Sequence, residues 1–188
     1  MPGARSFLLP LLALVIPAQA AEVVVHVARN GEALEVEARA EFAGGIARTW
    51  QVLTDYDRIA DYVPGVASSR VISRDRNGAV VEQKGEAKVL FFSYPINVRL
   101  VIAEHPYERL ESRAVAGNFR EMRGTYELEA GEGRVLLRYT GRMIPDFYVP
   151  PLIGTWILSS HVEEAFRALV EEIERRQRKP AKPEGRDS

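Results

Sequence analysis

Side chains able to do chemistry are sparse in this chain and poorly spaced for it. Its three histidines, His26, His105 and His161, lie far apart, without the His-x-His or His-Glu-x-x-His spacing of a metal site. His161 and Glu164 stand one helical turn apart, but two ligands are too few, so no metal is expected. There is no cysteine, and no serine lies in a Gly-x-Ser-x-Gly turn, which leaves nucleophilic catalysis without a candidate. No glycine-rich phosphate loop occurs, and no cofactor is expected. General acid–base work needs ionisable groups inside the fold with shifted pKa values. Whether any lie there depends on which way each strand faces.

The first twenty residues are set aside. Arg5, the apolar stretch Phe7 to Ile16 and the small-x-small site Ala18-Gln19-Ala20 read as a cleaved export signal, too short to span a bilayer; a retained N-terminal anchor is the alternative. Removing 1–20 leaves 168 residues with 24 basic and 26 acidic side chains, enough for one domain and no basic face for nucleic acid. An exported domain without disulfides must be held by its core alone. The domain is expected over 21–178, and 179–188, polar and proline-bearing, reads as a disordered tail.

Within the domain, Val23 to Val27 leads to a hairpin turn at Asn30-Gly31. The return strand then alternates, with Leu34, Val36, Ala38, Ala40 and Phe42 on one face and Glu35, Glu37, Arg39 and Glu41 on the other. Ile46, Trp50 and Leu53 keep helical spacing, and Thr54-Asp55 offers a cap for a second short helix that stops at Pro64-Gly65. From Val66 to Met143 the chain reads as antiparallel strands, with a further hairpin at Asn77-Gly78. Val81, Gln83, Gly85, Ala87, Val89 and Phe91 share an inward face, as do Ile96, Val98, Leu100 and Ile102. Met122, Gly124, Tyr126 and Leu128 follow, then Val135, Leu137, Tyr139, Gly141 and Met143. The inward glycines permit bending or the close approach of a ligand.

The chain closes on a long helix. From Val162 through Ala165, Phe166, Leu169, Val170 and Ile173 it is amphipathic, but its start, Pro151 to Leu158, is apolar nearly all round and must be enclosed. Ser160 with Glu163 has the spacing of a capping box that would split this helix. Segregated strands and helices predict an α+β fold, one sheet wrapping its apolar face around the last helix.

The phrases Trp50-Gln51-Val52-Leu53-Thr54-Asp55-Tyr56 and Tyr62-Val63-Pro64-Gly65 resemble the polyketide cyclase/dehydrase and coenzyme-Q-binding START-like (SRPBCC) superfamily. Gly117-Asn118-Phe119, Gly124-Thr125-Tyr126, Tyr139, Pro145 and Pro150-Pro151 extend the likeness over about Leu34 to Arg176. The resemblance implies a helix-grip fold, a curved antiparallel sheet around the C-terminal helix with a cavity between. It also implies binding of lipids, quinones, polyketides or hormones, with ring closure in some members.

The inward faces suit such a cavity, being apolar with a few placed polar groups. Phe91, Val98, Leu100, Met122, Leu137 and Met143 would make walls, with Leu53 and Tyr62 from the early helices and Trp156, Ile157 and Phe166 from the last one. Gln83, Tyr126 and Tyr139 would orient a carbonyl or hydroxyl. The alternative is that the same residues fill a solid core. Carboxylates fall on outward faces, and Arg99, Arg113 and Arg138 read as solvent-face partners, although a one-residue slip would turn Glu82, Glu86 or Arg138 inward. Phe147, Tyr148 and Trp156 form either a lip touching a membrane surface or a packed loop, and Leu90 to Pro95 an opposite lip.

The expected function is non-catalytic binding, with transport, of a hydrophobic small molecule in a Gram-negative periplasm. A polyketide cyclase or dehydratase and a protein-interaction domain with a closed core are the rivals.

Overall fold

The computed structural model describes residues 21–89, 92–149 and 151–178; the expected signal, the tail, Leu90 and Phe91 lie outside the described residues. Strands β1 (Glu22–Asn30) and β2 (Ala33–Ala43) precede α1 (Ile46–Leu53) and a 3-10 helix (Tyr56–Asp61). Then come β3 (Val66–Arg74), β4 (Gly78–Val89), β5 (Phe92–His105), β6 (Arg109–Gly117), β7 (Phe119–Ala130) and β8 (Arg134–Pro145), and finally α2 (Pro151–Arg178). The strands form one antiparallel sheet in the order β1-β2-β8-β7-β6-β5-β4-β3. The α+β helix-grip arrangement is therefore present: sheet and short helices grip α2, whose closest sheet neighbours are β1 and β2.

The registers carry the expected inward faces through the sheet. Val36 pairs with Gly141, Gly141 with Gly124, and Gly124 with Ser112; one rung along, Ala38, Tyr139, Tyr126 and Leu110 align. Phe42, Val52, Val81, Val135, Leu137 and Ile173 are almost wholly buried. Each such side chain contributes about 1.5–3 kcal/mol of transfer free energy, which is what a domain without disulfides must rely on.

The glycine rung Gly124–Gly141 has a specific cause. A Cβ built on either residue would lie 2.5–2.6 Å from the Tyr139 hydroxyl, so the absent side chains make room for that ring on the inner face. A carbon–oxygen approach that short is repulsive, and only glycine admits the tyrosine there.

Several local expectations change. The first hairpin turns on Gly31-Glu32, because Asn30 pairs with Ala33; the second loop is Asp75 to Asn77, with Asp75 Oδ1 accepting from the Asn77 amide at 2.7 Å. Asp55 stands at the N-cap of the second short helix, a 3-10 helix, but its side chain makes no cap bond; its carboxylate instead accepts from Arg176 on α2 at 2.7 Å. Ser160 does not divide α2. Its hydroxyl donates back to the Trp156 carbonyl at 3.2 Å, and the helix runs unbroken for 28 residues.

Candidate functional site

A hollow of about 700 Å³ opens between the first half of α2 and the far side of the sheet. Ile157, Leu158, His161, Glu164 and Ala165 face it from the helix. Gln83, Gly85, Ile96 and Val98 face it from β4 and β5, and Phe119, Met122, Met143 and Pro145 from β7 and β8. Val63 to Ala67 border it before and within β3, Leu34 borders it from β2, and Phe147 and Val149 come from the segment entering α2. This surface is predominantly apolar. The ionisable groups that border it are Lys84, Glu86, Lys88, His161 and Glu164, all exposed, so charge gathers at the rim and the interior stays greasy.

The residues expected to bind a ligand divide into groups. Gln83, Val98, Met122, Met143 and Ile157 line the hollow. Leu53, Leu100, Leu137 and Phe166 are buried in the packed core below it, and Tyr62, Tyr126 and Tyr139 pack against that core. The later half of α2 thus meets a solid interior, whereas its first half meets space. Trp156 is a correction: it is 71% exposed and points away from the hollow, because the neighbouring Ile157 and Leu158 take the inward positions. Phe91 lies outside the described residues.

Sequence reasoning missed Phe119 and Ala165 as lining residues, and it left Phe147 between an exposed lip and a packed loop. In the structure Phe147 is half-buried. Tyr94 of β5 stacks on it at 4.9 Å between ring centroids, and Phe119 meets its edge at 6.1 Å. The two expected lips are therefore joined by aromatic contact, while Tyr148 next door is 70% exposed. Asn118 secures the junction. Its side-chain amide donates to the Pro95 carbonyl, its Oδ1 accepts from the Asn97 amide at 3.0 Å, and its carbonyl accepts from the Asp146 amide at 3.0 Å. The signal was the Gly117-Asn118-Phe119 motif, whose role is to tie β5 and the α2 entry loop together at the mouth.

Polar groups inside are few and neutral. Gln83 Nε2 donates to Ser69 Oγ at 3.3 Å. The Tyr126 and Tyr139 rings lie 4.7 Å apart, and Phe166 stacks parallel to Tyr126 at 6.4 Å. Burial raises the Tyr126 phenol far above its ordinary value and pushes Tyr139 up to about 12, so both stay protonated. Tyr62, also raised to about 12 chiefly by burial, donates a long 3.4 Å bond to the Val52 carbonyl.

The strand arginines expected on the outer face lie away from the hollow. Arg99 binds Glu82 at 3.1 Å and Arg138 binds Glu129 at 2.6 Å, on outward positions of the sheet. Arg113 faces a shallow outer groove of about 610 Å³ beside Arg123 and Arg142, and has no ion pair among the described residues. One carboxylate does share the inward parity: Glu104, at the far end of β5, accepts from the Tyr56 hydroxyl at 2.9 Å and from Arg74 at 3.3 Å. It does not border the hollow. At the end of α2, Glu172 is 6% exposed and grips both Arg175 and Arg176 at 2.6 Å. Hydrogen bonds from Arg175 and then Arg176 hold its pKa down at about 2. Among the described residues no cluster of three or more His, Asp or Glu has metal-site geometry, and no helix is long and apolar enough to cross a membrane.

With this geometry in view, comparison with known families is decisive. Residues 46–174 match the model described as polyketide cyclase / dehydrase and lipid transport. The chain belongs to that family. Among solved structures, the Zhui aromatase/cyclase from a Streptomyces species superposes with a TM-score of 0.64 at 18% identity, over 78% of this chain and 96% of that one. A STAR-related lipid transfer protein from Xanthomonas axonopodis gives 0.65 at 12% identity, covering 83% and 99%. A START superfamily protein from Mycobacterium smegmatis gives 0.62 at 14%, covering 75% and 97%. These likenesses establish the shared fold. Comparison with curated sequences finds no significant match.

Proposed function

We propose that this family member binds and carries a hydrophobic small molecule, such as a quinone or other lipid, in the hollow beneath α2, without a catalytic step. The observation that carries the reading is an apolar interior whose ionisable neighbours all sit at the rim. A volume of about 700 Å³ falls within the range of small-molecule sites. At ~0.8 kcal/mol per buried CH2, one isoprene unit supplies roughly 4 kcal/mol gross, so a chain of several units binds without a charged anchor even after association costs. Two further points belong to the reading. The N-terminal signal sends the chain to a Gram-negative periplasm, and Tyr148 and Trp156, exposed beside the mouth residues Val149 and Ile157, rest on a membrane surface during exchange.

Native mass spectrometry of protein purified from membrane-containing cells, with solvent extraction of whatever it holds, tests the proposal. A bound lipid or quinone is expected. Protein that is consistently empty and takes up neither quinones nor fatty acids would defeat it.

The second reading, a ring-closing enzyme on a polyketide-like substrate, draws on His161 and Glu164, the rim pair that could move a proton. It predicts that H161A abolishes turnover of a polyketide mimic while binding persists, whereas the carrier reading predicts no turnover at all.

A further inference from the structure

Three successive rungs on the inner face of β7 and β8 run from the hollow into the core: Met122–Met143, Gly124–Gly141 and Tyr126–Tyr139. The methionines line the hollow. The tyrosines are two rungs deeper, but the Tyr139 ring folds back over the glycines. Its hydroxyl lies 2.5–2.6 Å from where either glycine's Cβ would stand, between its own rung and the methionines. Each two-residue step along a strand is about 7 Å, so this oxygen lies just behind the methionine wall.

Both phenols are unused. Neither hydroxyl has a hydrogen-bond partner among the described residues, in contrast to Tyr56, which donates to Glu104. Among the described residues, sealed polar atoms without a partner include Arg29 Nε, Arg176 Nη2 and Gln177 Nε2. Neither tyrosine oxygen is among them, so each keeps open surface. Both residues are half-buried on the inner face, so two phenol donors side by side, with no acceptor among the described residues, are open to one brought by a ligand.

We infer that Tyr126 and Tyr139 form an inner subsite that donates hydrogen bonds to the carbonyl oxygen of a neutral ketone- or quinone-bearing ligand, whose apolar chain runs back towards the mouth. This rests on the carrier reading above and specifies its ligand class and orientation. The donors are neutral and no charged group acts on either phenol, so an acceptor without charge is favoured; a carboxylate brought there would lose its hydration without a cation to replace it. The unbranched methionines can swing aside to admit a ring. Phe166, buried in the core and parallel to Tyr126 at 6.4 Å between ring centroids, holds one donor ring in place.

The experiment uses the full chain, stripped of lipid, with three probes sharing a ten-carbon chain: decylubiquinone, decylbenzene and decanoate. Wild type should bind the quinone more tightly than decanoate, and bound quinone with an isotope-labelled carbonyl should show a lowered stretching frequency. Y126F and Y139F should each weaken the quinone by roughly 5- to 10-fold, the worth of one neutral hydrogen bond, leave decylbenzene within about 2-fold, and move the carbonyl band back. Equal losses for quinone and hydrocarbon, or an unshifted carbonyl band in wild type, would overturn the subsite while sparing the carrier reading. Failure of wild type to bind either quinone or hydrocarbon would overturn both.

Discussion

Replacing Glu172 with glutamine removes the charge at the centre of the clamp that joins the end of α2 to the α1–3-10 junction. Glu172 accepts from Arg175 at 2.6 and 2.7 Å and from Arg176 at 2.6 Å, and Arg176 reaches Asp55 at 2.7 Å. The Glu172 pKa falls from 4.5 to about 2, and at about 1.4 kcal/mol per unit the differential interaction is about 3 kcal/mol. Arg175 is 44% exposed and its share is weakened by solvent, so the working estimate is about 2–3 kcal/mol, or roughly 4–12 °C in Tm for a domain of this size. The sign follows from the lowered folded-state pKa. The contribution is complete above the unfolded value near 4.5 and is lost as pH falls towards 2; near pH 3 about half remains. Urea unfolding of wild type and E172Q at pH 7, 5, 4 and 3 measures it. A gap below about 0.5 kcal/mol at pH 7, or one that stays constant down to pH 3, would refute the reasoning.

Other outcomes follow from burial. Leu137→Ala, in the solid core, should cost about 2–5 kcal/mol, whereas Met143→Ala in the hollow wall should cost less and weaken ligand binding instead; denaturation and probe titration on both variants separate the two. Gly141→Ala should destabilise by about 1–3 kcal/mol through collision with the Tyr139 ring, and much of that loss should vanish in a Tyr139→Ala background, as a double-mutant cycle would read. Trp156→Ala with Tyr148→Ala should leave Tm within ~1 °C, since both side chains face solvent, yet slow ligand exchange with vesicles.

The inward faces were legible because strand side chains alternate strictly and the turns are short, so the parity of Val36, Leu137 or Val98 follows from local pattern. Helical phase was readable only where polar residues marked it. Leu169, Val170 and Ile173 packed as expected, but the apolar start of α2 offered no polar face, and Trp156, expected inward beside Ile157, turned outward. Long-range choices left no local trace. Asp55 has the look of a cap, yet it is claimed by Arg176 from 121 positions away. Asn118 reads as a turn residue, and its web to Pro95, Asn97 and Asp146 appears only when three segments meet. The hollow lies towards the mouth, not at mid-core, because that depends on how far α2 stands from β4 and β5, a distance set by the whole fold. Tyr126 and Tyr139 were legible as inward polar groups; that nothing among the described residues accepts from them was not.

The central claim is that the space beneath α2 is an oily binding site. Calorimetric titration of lipid-stripped full chain with decylubiquinone at several temperatures tests it most directly. Saturation at one ligand per chain with a clearly negative heat-capacity change, the mark of apolar burial, is predicted. Absence of saturable binding, or binding with no heat-capacity change, would contradict it.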